Sequence, residues 1–169
     1  MVSNCDETRG AQIRFQYVQR MMDAGLKLDG FGACFGEDKQ IFGEPWNKKI
    51  HDQEGKKMIV PGQMAKYKFY MAFENSVHCT DYISEKLWRN SLAQGLVPVV
   101  YGPHVDDVKA MAPPNSYIHV EDYNSPAELA KYLDYLSKND TAYLEYHQWR
   151  KEEPKTLDEY VPGSPDRKS

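Results

Sequence analysis

Two basic residues, one carboxylate and two tyrosines are the first candidates for chemistry in this sequence. Arg14 and Lys86 could supply fixed positive charge to a pyrophosphate, because guanidinium and ammonium groups bind phosphate oxygens. Glu85 could accept hydrogen bonds from sugar hydroxyls, and Tyr70 or Tyr82 could stack on a ring or donate a hydrogen bond. The alternative is that Glu85 and Lys86 lie on a solvated helix surface, where Glu and Lys are common.

Other reaction classes lack their characteristic motifs. The chain contains no GxxxxGK(S/T) phosphate loop, no HExxH zinc motif, no GxSxG nucleophile turn and no Asp-x-Asp pair. Residues 30–34 read GFGAC, which resembles the start of the dinucleotide-binding fingerprint GxGxxG. The third glycine is displaced and no helix follows, so a turn is predicted instead. The histidines show no metal-ligand spacing, and only His78 lies in the predicted ligand loop. Asp106 and Asp107 are expected to face solvent, so no metal site is predicted.

The composition is that of one ordinary soluble domain. A chain of 169 residues buries roughly 70% of its unfolded surface and needs no disulfide or metal to form a core. The formal net charge of -4 argues against a general nucleic-acid binder, which needs a basic face. No apolar run approaches the roughly 20 residues of a membrane span, and the first residues do not resemble a signal peptide. Cys5, Cys34 and Cys79 are predicted to be buried or idle thiols, with one disulfide as the alternative.

The first half of the chain contains the elements that must position these residues. Apolar residues at helical spacing predict a helix over 11–24 that ends at Gly25. A short strand is predicted over 26–34, and an aromatic strand over 67–74. A helix is then predicted from Thr80 or Asp81 to Gly95.

The second half predicts further alternation. Residues 96–101 are apolar on both faces, which is typical of a strand that is covered on both sides. A short helix over 105–111 and a strand over 116–120 follow. The capping box at 125–128 predicts a helix with an apolar stripe at Leu129, Tyr132, Leu133 and Leu136, and a second helix over 141–151. The order of elements predicts an α/β domain with a mostly parallel sheet.

A parallel sheet binds its ligands beyond the carboxyl ends of its strands. The aromatic strand ends at residues 74–76, so the ligand loop is expected there. The helix predicted to start near Asp81 would offer free N–H groups and a positive dipole end to an anion.

Three stretches of the chain resemble the signature of the α-1,3-fucosyltransferases. Residues 67–76 read YKFYMAFENS, residues 81–88 read DYISEKLW and residues 97–103 read VPVVYGP. The family usually has Thr where this chain has Ser84. Residues 2–4, which read VSN, and the helix that contains Arg14 also resemble segments of the family. Residues 116–133 are similar to its Lewis-type members.

The resemblance implies the C-terminal, Rossmann-like half of a two-domain GT-B glycosyltransferase, the half that binds GDP-fucose. By match to the family motifs, Arg14 and Lys86 would contact the pyrophosphate and stabilise the leaving group. The other positions that match donor-binding residues of the family are Ser3, Asn4, Tyr70, Glu74, Asn75, Ser76, Tyr82 and Glu85.

The resemblance also implies an inverting reaction, in which a hydroxyl of N-acetylglucosamine attacks C1 of L-fucose while GDP leaves. Negative charge grows on the departing pyrophosphate, so prepositioned cations stabilise the transition state more than the ground state. The general base of the family is a carboxylate of an N-terminal acceptor domain, which we expect to be absent from this chain. We therefore expect the chain to bind the donor and to transfer fucose poorly or not at all.

Further expectations concern organisation and partners. The donor domain is expected over residues 1–151, followed by a flexible C-terminal tail over 152–169. The resemblance implies GDP-fucose and a glycan acceptor as partners, no obligatory cofactor, and stimulation by manganese as an open alternative. It places the protein in the Golgi lumen as part of a type II membrane protein.

Two other functions stay open. A protein O-fucosyltransferase would share the donor site and differ in its acceptor, although residues 119–126 resemble Lewis-type members instead. A GDP-binding or nucleotide-sugar-binding module without catalysis would bind GDP without depending on the sugar.

Overall fold

The computed structural model describes residues 9–29, 66–75 and 82–151. Its regular elements are α1 (Arg9–Asp23), β1 (Phe69–Phe73), β2 (Val97–Tyr101), α2 (Val105–Met111), β3 (Ile118–His119), α3 (Pro126–Lys138) and α4 (Asp140–Glu145). Short 3₁₀ turns lie at Leu92–Gln94, Val120–Asp122 and Gln148–Lys151. The alternation of strands and helices confirms the predicted α/β class.

The three strands form a parallel sheet in the order β1-β2-β3. The central strand β2 is buried at its first four residues, which confirms the prediction of a strand covered on both sides. Pro98 lies within β2 although it lacks an N–H group. The N–H of Val97 donates to the carbonyl of Lys68, which precedes β1. Successive backbone N–H groups of a strand point to opposite sides, so the nitrogen of Pro98 points towards β3. The pairing of β2 with β3 begins only at Val99. The missing donor of Pro98 therefore breaks no strand pairing.

Each face of the sheet carries its own apolar core. Phe73, Val97 and Val99 face a core that α1, α3 and α4 complete with Val18, Met21, Leu129, Leu133, Leu136 and Tyr143. The opposite face of the sheet contributes Tyr70, Ala72 and Val100 to a smaller core with Leu87, Leu92, Leu96, Val108 and Ala112. The layers are therefore helix, sheet and helix, as a Rossmann-like domain requires.

The end of α1 confirms the prediction at Gly25. The glycine has a φ of 95°, and its N–H donates to the carbonyl of Met22 at 2.9 Å. The N–H of Leu26 donates to the carbonyl of Met21 at 3.1 Å. These two bonds form a Schellman motif, which favours glycine because the left-handed backbone strains any side chain with a Cβ.

The capping box predicted at the start of α3 is present with one difference. Ser125 Oγ accepts the N–H of Glu128 at 3.1 Å, as predicted. The Glu128 carboxylate does not return to Ser125 but accepts the N–H of Asn124 at 3.0 Å and its side-chain amide at 3.2 Å. The helix begins where the sequence predicts, with Leu129, Leu133 and Leu136 fully buried.

Other predicted boundaries differ from the structure. Residues 26–29 form no strand, and the rest of the strand predicted over 26–34 lies outside the described residues. The strand predicted over 116–120 is confined to Ile118–His119 because a 3₁₀ turn begins at Val120. The second helix predicted over 141–151 is divided, with α4 ending at Glu145 and a 3₁₀ turn following. The predicted tail over 152–169 lies outside the described residues.

Within residues 9–29, 66–75 and 82–151, no helix combines the length and the hydrophobicity that a membrane span requires.

Candidate functional site

Two positively charged side chains meet at the carboxyl end of β1. The carbonyl oxygen of Phe73, the last residue of β1, accepts a hydrogen bond from Arg14 Nη1 at 3.1 Å. The next residue, Glu74, binds Lys86 Nζ through Oε2 at 2.8 Å. The N–H of Glu74 donates to the carbonyl of Tyr101 at 2.8 Å and so extends the pairing of β1 with β2. Consecutive residues on a rigid sheet edge therefore hold both predicted cations.

Arg14 reaches this edge from α1. Arg14, Val18 and Met21 are spaced i, i+4, i+7 and share the buried face of the helix. Burial lowers the pKa of the Arg14 guanidinium, and the negative charge of Glu74 opposes that shift. An arginine keeps its charge at neutral pH in spite of such a shift. Arg14 is thus a charge whose position is fixed by the helix and by the Phe73 carbonyl.

Glu74 is a buried carboxylate with an exposed fraction of 2%. Its Oε1 accepts the backbone N–H of Ser84 at 2.8 Å, and Ser84 Oγ lies 2.7 Å from Oε1 and 2.8 Å from Oε2. Lys86 Nζ lies 3.2 Å from Ser84 Oγ and completes the group. We name Glu74, Ser84 and Lys86 the carboxylate clamp. A buried charge requires such partners, because an unpaired carboxylate is strongly disfavoured away from water.

The segment over 82–96 is not the regular helix that its apolar spacing predicts. Its backbone bonds span five residues at Asn90 to Glu85, Leu92 to Leu87 and Ala93 to Trp88. Ser91 Oγ bonds to the carbonyls of Lys86 and Leu87, which competes with the regular α-helical ladder. The segment ends as predicted at Gly95, whose φ is 78°.

The prediction that a helix N-terminus offers its N–H groups to an anion is also wrong for this segment. Residues 82–84 are not helical, and the N–H of Ser84 donates to Glu74. The positive charge at the site comes from Arg14 and Lys86 instead. Together with the Glu74 carboxylate they carry a net charge of about +1, which suits a diphosphate better than a neutral ligand.

The remaining predicted residues that are described lie around the clamp. Tyr70 is 6% exposed, and its hydroxyl accepts a hydrogen bond from Asn90 Nδ2 at 3.4 Å. Burial raises the pKa of Tyr70 to about 12, so the hydroxyl stays protonated at neutral pH. Tyr82 is 39% exposed, and Asn75 and Glu85 are exposed as well. These three side chains are accessible to a ligand, whereas Tyr70 lies mainly in the core.

Several predicted residues lie outside the described residues. They are Ser3, Asn4, Ser76, His78, Cys5, Cys34, Cys79 and the glycine-containing turn over 30–34. Their roles and the state of the cysteines therefore stay predictions.

His119, the last residue of β3, lies at the same carboxyl edge of the sheet and is fully buried. Its Nδ1 accepts the N–H of Glu121 at 3.2 Å, so Nε2 carries the proton and donates to the Pro103 carbonyl at 3.2 Å. Burial lowers the pKa of His119, which favours the neutral ring. The His119 ring therefore links the segment after β2, at Pro103, to the segment after β3, at Glu121. Within the described ranges, no group of three His, Cys, Asp or Glu side chains is arranged to hold a metal ion.

The structural role of Ser84 was not predicted from the sequence, where it stands only as a replacement for Thr. The available signal was Glu74 itself, a charged residue that directly follows an apolar strand. A carboxylate at that position must find nearby donors if it is buried. The sequence offers the hydroxyls of Ser76, Thr80 and Tyr82 before that of Ser84, so it does not single out Ser84 as the partner.

A family model described as glycosyltransferase family 10 (fucosyltransferase) C-term matches residues 1–161. Among curated proteins, 4-galactosyl-N-acetylglucosaminide 3-alpha-L-fucosyltransferase FUT6 of Pongo pygmaeus is 53% identical over 87 residues, which are 52% of this chain and 24% of the relative. The 3-galactosyl-N-acetylglucosaminide 4-alpha-L-fucosyltransferase FUT3 of Homo sapiens is 52% identical over 87 residues, with the same coverage of 52% and 24%. The matched part spans about a quarter of these relatives.

Among solved structures, a crystal structure of an alpha1,3-fucosyltransferase with GDP-fucose is similar in fold. The TM-score is 0.59 at 20% sequence identity, over 83% of this chain and 36% of that chain. This likeness supports the Rossmann-like, GT-B assignment of the fold.

Proposed function

The chain belongs to glycosyltransferase family 10, the fucosyltransferases, and from this premise we propose that it is the donor-binding part of such an enzyme. The enzyme transfers L-fucose from GDP-fucose to a hydroxyl of N-acetylglucosamine in a glycan. The names of the relatives, which are fucosyltransferases acting on galactosyl-N-acetylglucosaminides, support the transferred sugar and the acceptor. The structural neighbour, which was solved with GDP-fucose, supports the donor.

One observation carries the proposal. Arg14 and Lys86 are distant in the sequence, yet consecutive residues at the end of β1 hold both of them. The carboxyl end of a parallel sheet is where this class of fold binds its ligands. A diphosphate placed there would meet two fixed cations, while the exposed Tyr82 and Glu85 would lie near its nucleoside or sugar.

The reaction then follows from the charge that must develop. The acceptor oxygen forms a bond to C1 of fucose on one face, and the bond from C1 to the diphosphate oxygen breaks on the other, which inverts the configuration. The proton of the acceptor hydroxyl passes to a general base, which we assign to the acceptor-binding part of the enzyme. Arg14 and Lys86 stabilise the negative charge that grows on the departing GDP.

The linkage is proposed as α-1,3, on the motifs that resemble that family. The relatives named for 3-alpha and for 4-alpha transfer are 53% and 52% identical to this chain. This near-equal identity, measured over 87 residues, favours neither linkage. The location in the Golgi lumen, as part of a type II membrane protein, stays a prediction.

Calorimetric titration of the 169-residue chain with GDP, GDP-fucose, UDP and GMP tests the proposal. We expect saturable binding of GDP and GDP-fucose, with UDP and GMP much weaker. Repeating the GDP titration with manganese separates a metal-stimulated site from a metal-independent one. Failure of a folded chain to bind GDP would contradict the proposal, and GDP binding that gains nothing from the fucose would favour a nucleotide-binding module.

Two variants test the residues of the site. Lys86→Ala and Arg14→Ala should each weaken GDP binding by roughly 1–3 kcal/mol, the scale of a lost charge-assisted hydrogen bond. Lys131→Ala is the matched control, because Lys131 is an exposed lysine of α3, a helix that contributes no residue to the carboxylate clamp. Unchanged GDP affinity in both site variants would contradict the assignment of the site.

A further inference from the structure

Glu74 is the most buried charged side chain at the site, and its surroundings do not suit a direct contact with the donor. Its exposed fraction is 2%, and both of its oxygens already accept hydrogen bonds from Ser84 and Lys86. A diphosphate would moreover be repelled by a carboxylate. The negative charge at this position therefore requires another explanation than contact with the donor.

The geometry of the clamp supplies that reason. A lysine ammonium has three N–H donors on a flexible stem and is ordinarily free to rotate. Among the described contacts, Lys86 Nζ directs one donor to Glu74 Oε2 at 2.8 Å and one to Ser84 Oγ at 3.2 Å. Two fixed directions leave one direction for the third N–H. The side chain of Lys86 is 12% exposed, so that the ammonium is held at the edge of the protein interior.

We propose that Glu74 is a positioning residue, which acts through Lys86 and does not touch the donor. Together with Ser84 it fixes the Lys86 ammonium so that the remaining N–H meets the donor diphosphate. This inference rests on the proposed function, since it assigns the purpose of the clamp to that ligand. Ser84 takes part because its single hydroxyl proton is shared by the two carboxylate oxygens while its oxygen faces Lys86.

The substitution Glu74→Gln separates positioning from simple charge. The change removes one negative charge and raises the net charge of Arg14, residue 74 and Lys86 from about +1 to about +2. If charge alone mattered, GDP would bind more tightly. The amide of glutamine, however, places an NH₂ donor against either Lys86 or the N–H of Ser84. The clamp then opens, and GDP should bind about tenfold more weakly.

The test combines GDP titration with a measurement that needs no ligand. GDP is titrated into the wild-type chain, Glu74→Gln and Ser84→Thr, with thermal unfolding of each variant as the control for folding. Ser84→Thr keeps the hydroxyl and should bind GDP within about twofold of wild type. In parallel, NMR of lysine Nζ groups reports which ammonium protons are protected by hydrogen bonds. Lys68 Nζ is the internal reference, because it binds Asp140 at 2.6 Å and the Ser137 carbonyl at 2.8 Å.

We expect a protected ammonium signal from Lys86, which its absence from Lys86→Arg assigns. The signal should be lost in Glu74→Gln and persist in Ser84→Thr. The signal of Lys68 should be unchanged in all variants. Equal or tighter GDP binding by Glu74→Gln would overturn the inference, as would a tenfold loss in Ser84→Thr. If the wild-type chain binds no GDP, the proposed function fails, and the NMR signals then test only whether Glu74 fixes the Lys86 ammonium. A Lys86 signal that survives in Glu74→Gln would overturn that role of Glu74, and a lost signal would support it.

Discussion

Two segments of this protein have similar apolar spacing and different backbones. Helix α3 over Pro126–Lys138 is a regular helix that starts at its predicted cap. The segment over 82–96 has an equally helical pattern but forms turns with backbone bonds that span five residues. The difference shows that helical periodicity alone does not ensure a regular helix where buried polar side chains bond to the backbone.

The contacts of the two segments explain the difference. In α3 the polar residues face solvent, and the cap at Ser125 satisfies one of the free N–H groups. In the 82–96 segment Ser84 is bound by Glu74 of the sheet edge, and Ser91 takes two backbone carbonyls. The polar contacts of Ser84 and Ser91 therefore set the backbone of the segment that carries Lys86. The resulting distortion lies beside the candidate site, where such irregular turns are frequent.

The largest expected effects come from Leu133→Ala in α3 and Leu87→Ala in the 82–96 segment. Both leucines are fully buried, so each change should lower the free energy of unfolding by about 2–5 kcal/mol. Because Leu87 follows Lys86 directly, only Leu87→Ala should also weaken GDP binding by the folded protein. Chemical denaturation and GDP titration measure the two effects. Equal GDP affinity in the two variants would contradict the view that the 82–96 segment, and not α3, holds the GDP site.

The next effect concerns Ser91, which is fully buried. Ser91→Ala removes the hydroxyl that binds the Lys86 and Leu87 carbonyls, and it should lower the free energy of unfolding by about 1–3 kcal/mol. Thermal unfolding measures the loss. Ser137→Ala is the control in α3, because Ser137 Oγ bonds the Asp134 carbonyl at an exposed position, and it should change stability by less than about 0.5 kcal/mol. A smaller loss for Ser91→Ala than for Ser137→Ala would contradict the explanation.

Gly95→Ala concerns the end of the 82–96 segment, where the backbone bonds match those at the end of a regular helix. The N–H groups of Gly95 and Leu96 bond to the carbonyls of Leu92 and Ser91, both at 3.1 Å, which is a Schellman motif. A Cβ on Gly95 would meet nothing within 4 Å, so the cost is that of the left-handed backbone, about 1–2 kcal/mol. Gly25→Ala at the end of α1 should lose the same amount in denaturant unfolding. A difference of more than about 1 kcal/mol between them would mean that Gly95 has a further role.

The smallest expected effect is that of Ser125→Ala at the cap of α3. The change removes the acceptor of the Glu128 N–H and should lower the free energy of unfolding by about 1 kcal/mol. Glu128→Gln should lose less, because its amide oxygen can still accept the N–H of Asn124. Thermal unfolding measures both variants. A Ser125→Ala variant as stable as the wild-type chain would contradict a stabilising role of the Ser125 cap.

The sequence predicts those parts of the fold whose signals are local. The cap at Ser125, the left-handed glycines Gly25 and Gly95 and the apolar strand β2 all lie where the pattern of neighbouring residues puts them. The candidate site is predicted in its residues but not in its geometry. Nothing local indicates that Glu74 is buried or that it binds Ser84, because those partners are ten residues apart and meet only in the folded chain. Tertiary contacts overrode helical propensity there.

Titration of GDP into Ser84→Ala beside Ser125→Ala tests the central claim most directly. Each change removes one serine hydroxyl that satisfies a buried or terminal polar group, the first in the carboxylate clamp and the second at the cap of α3. We predict that Ser84→Ala binds GDP about tenfold more weakly than the wild-type chain, because Lys86 loses its fixed direction. Ser125→Ala should bind GDP as the wild-type chain does. Equal GDP affinity in Ser84→Ala and Ser125→Ala would contradict the claim that the clamp positions Lys86 for the donor diphosphate.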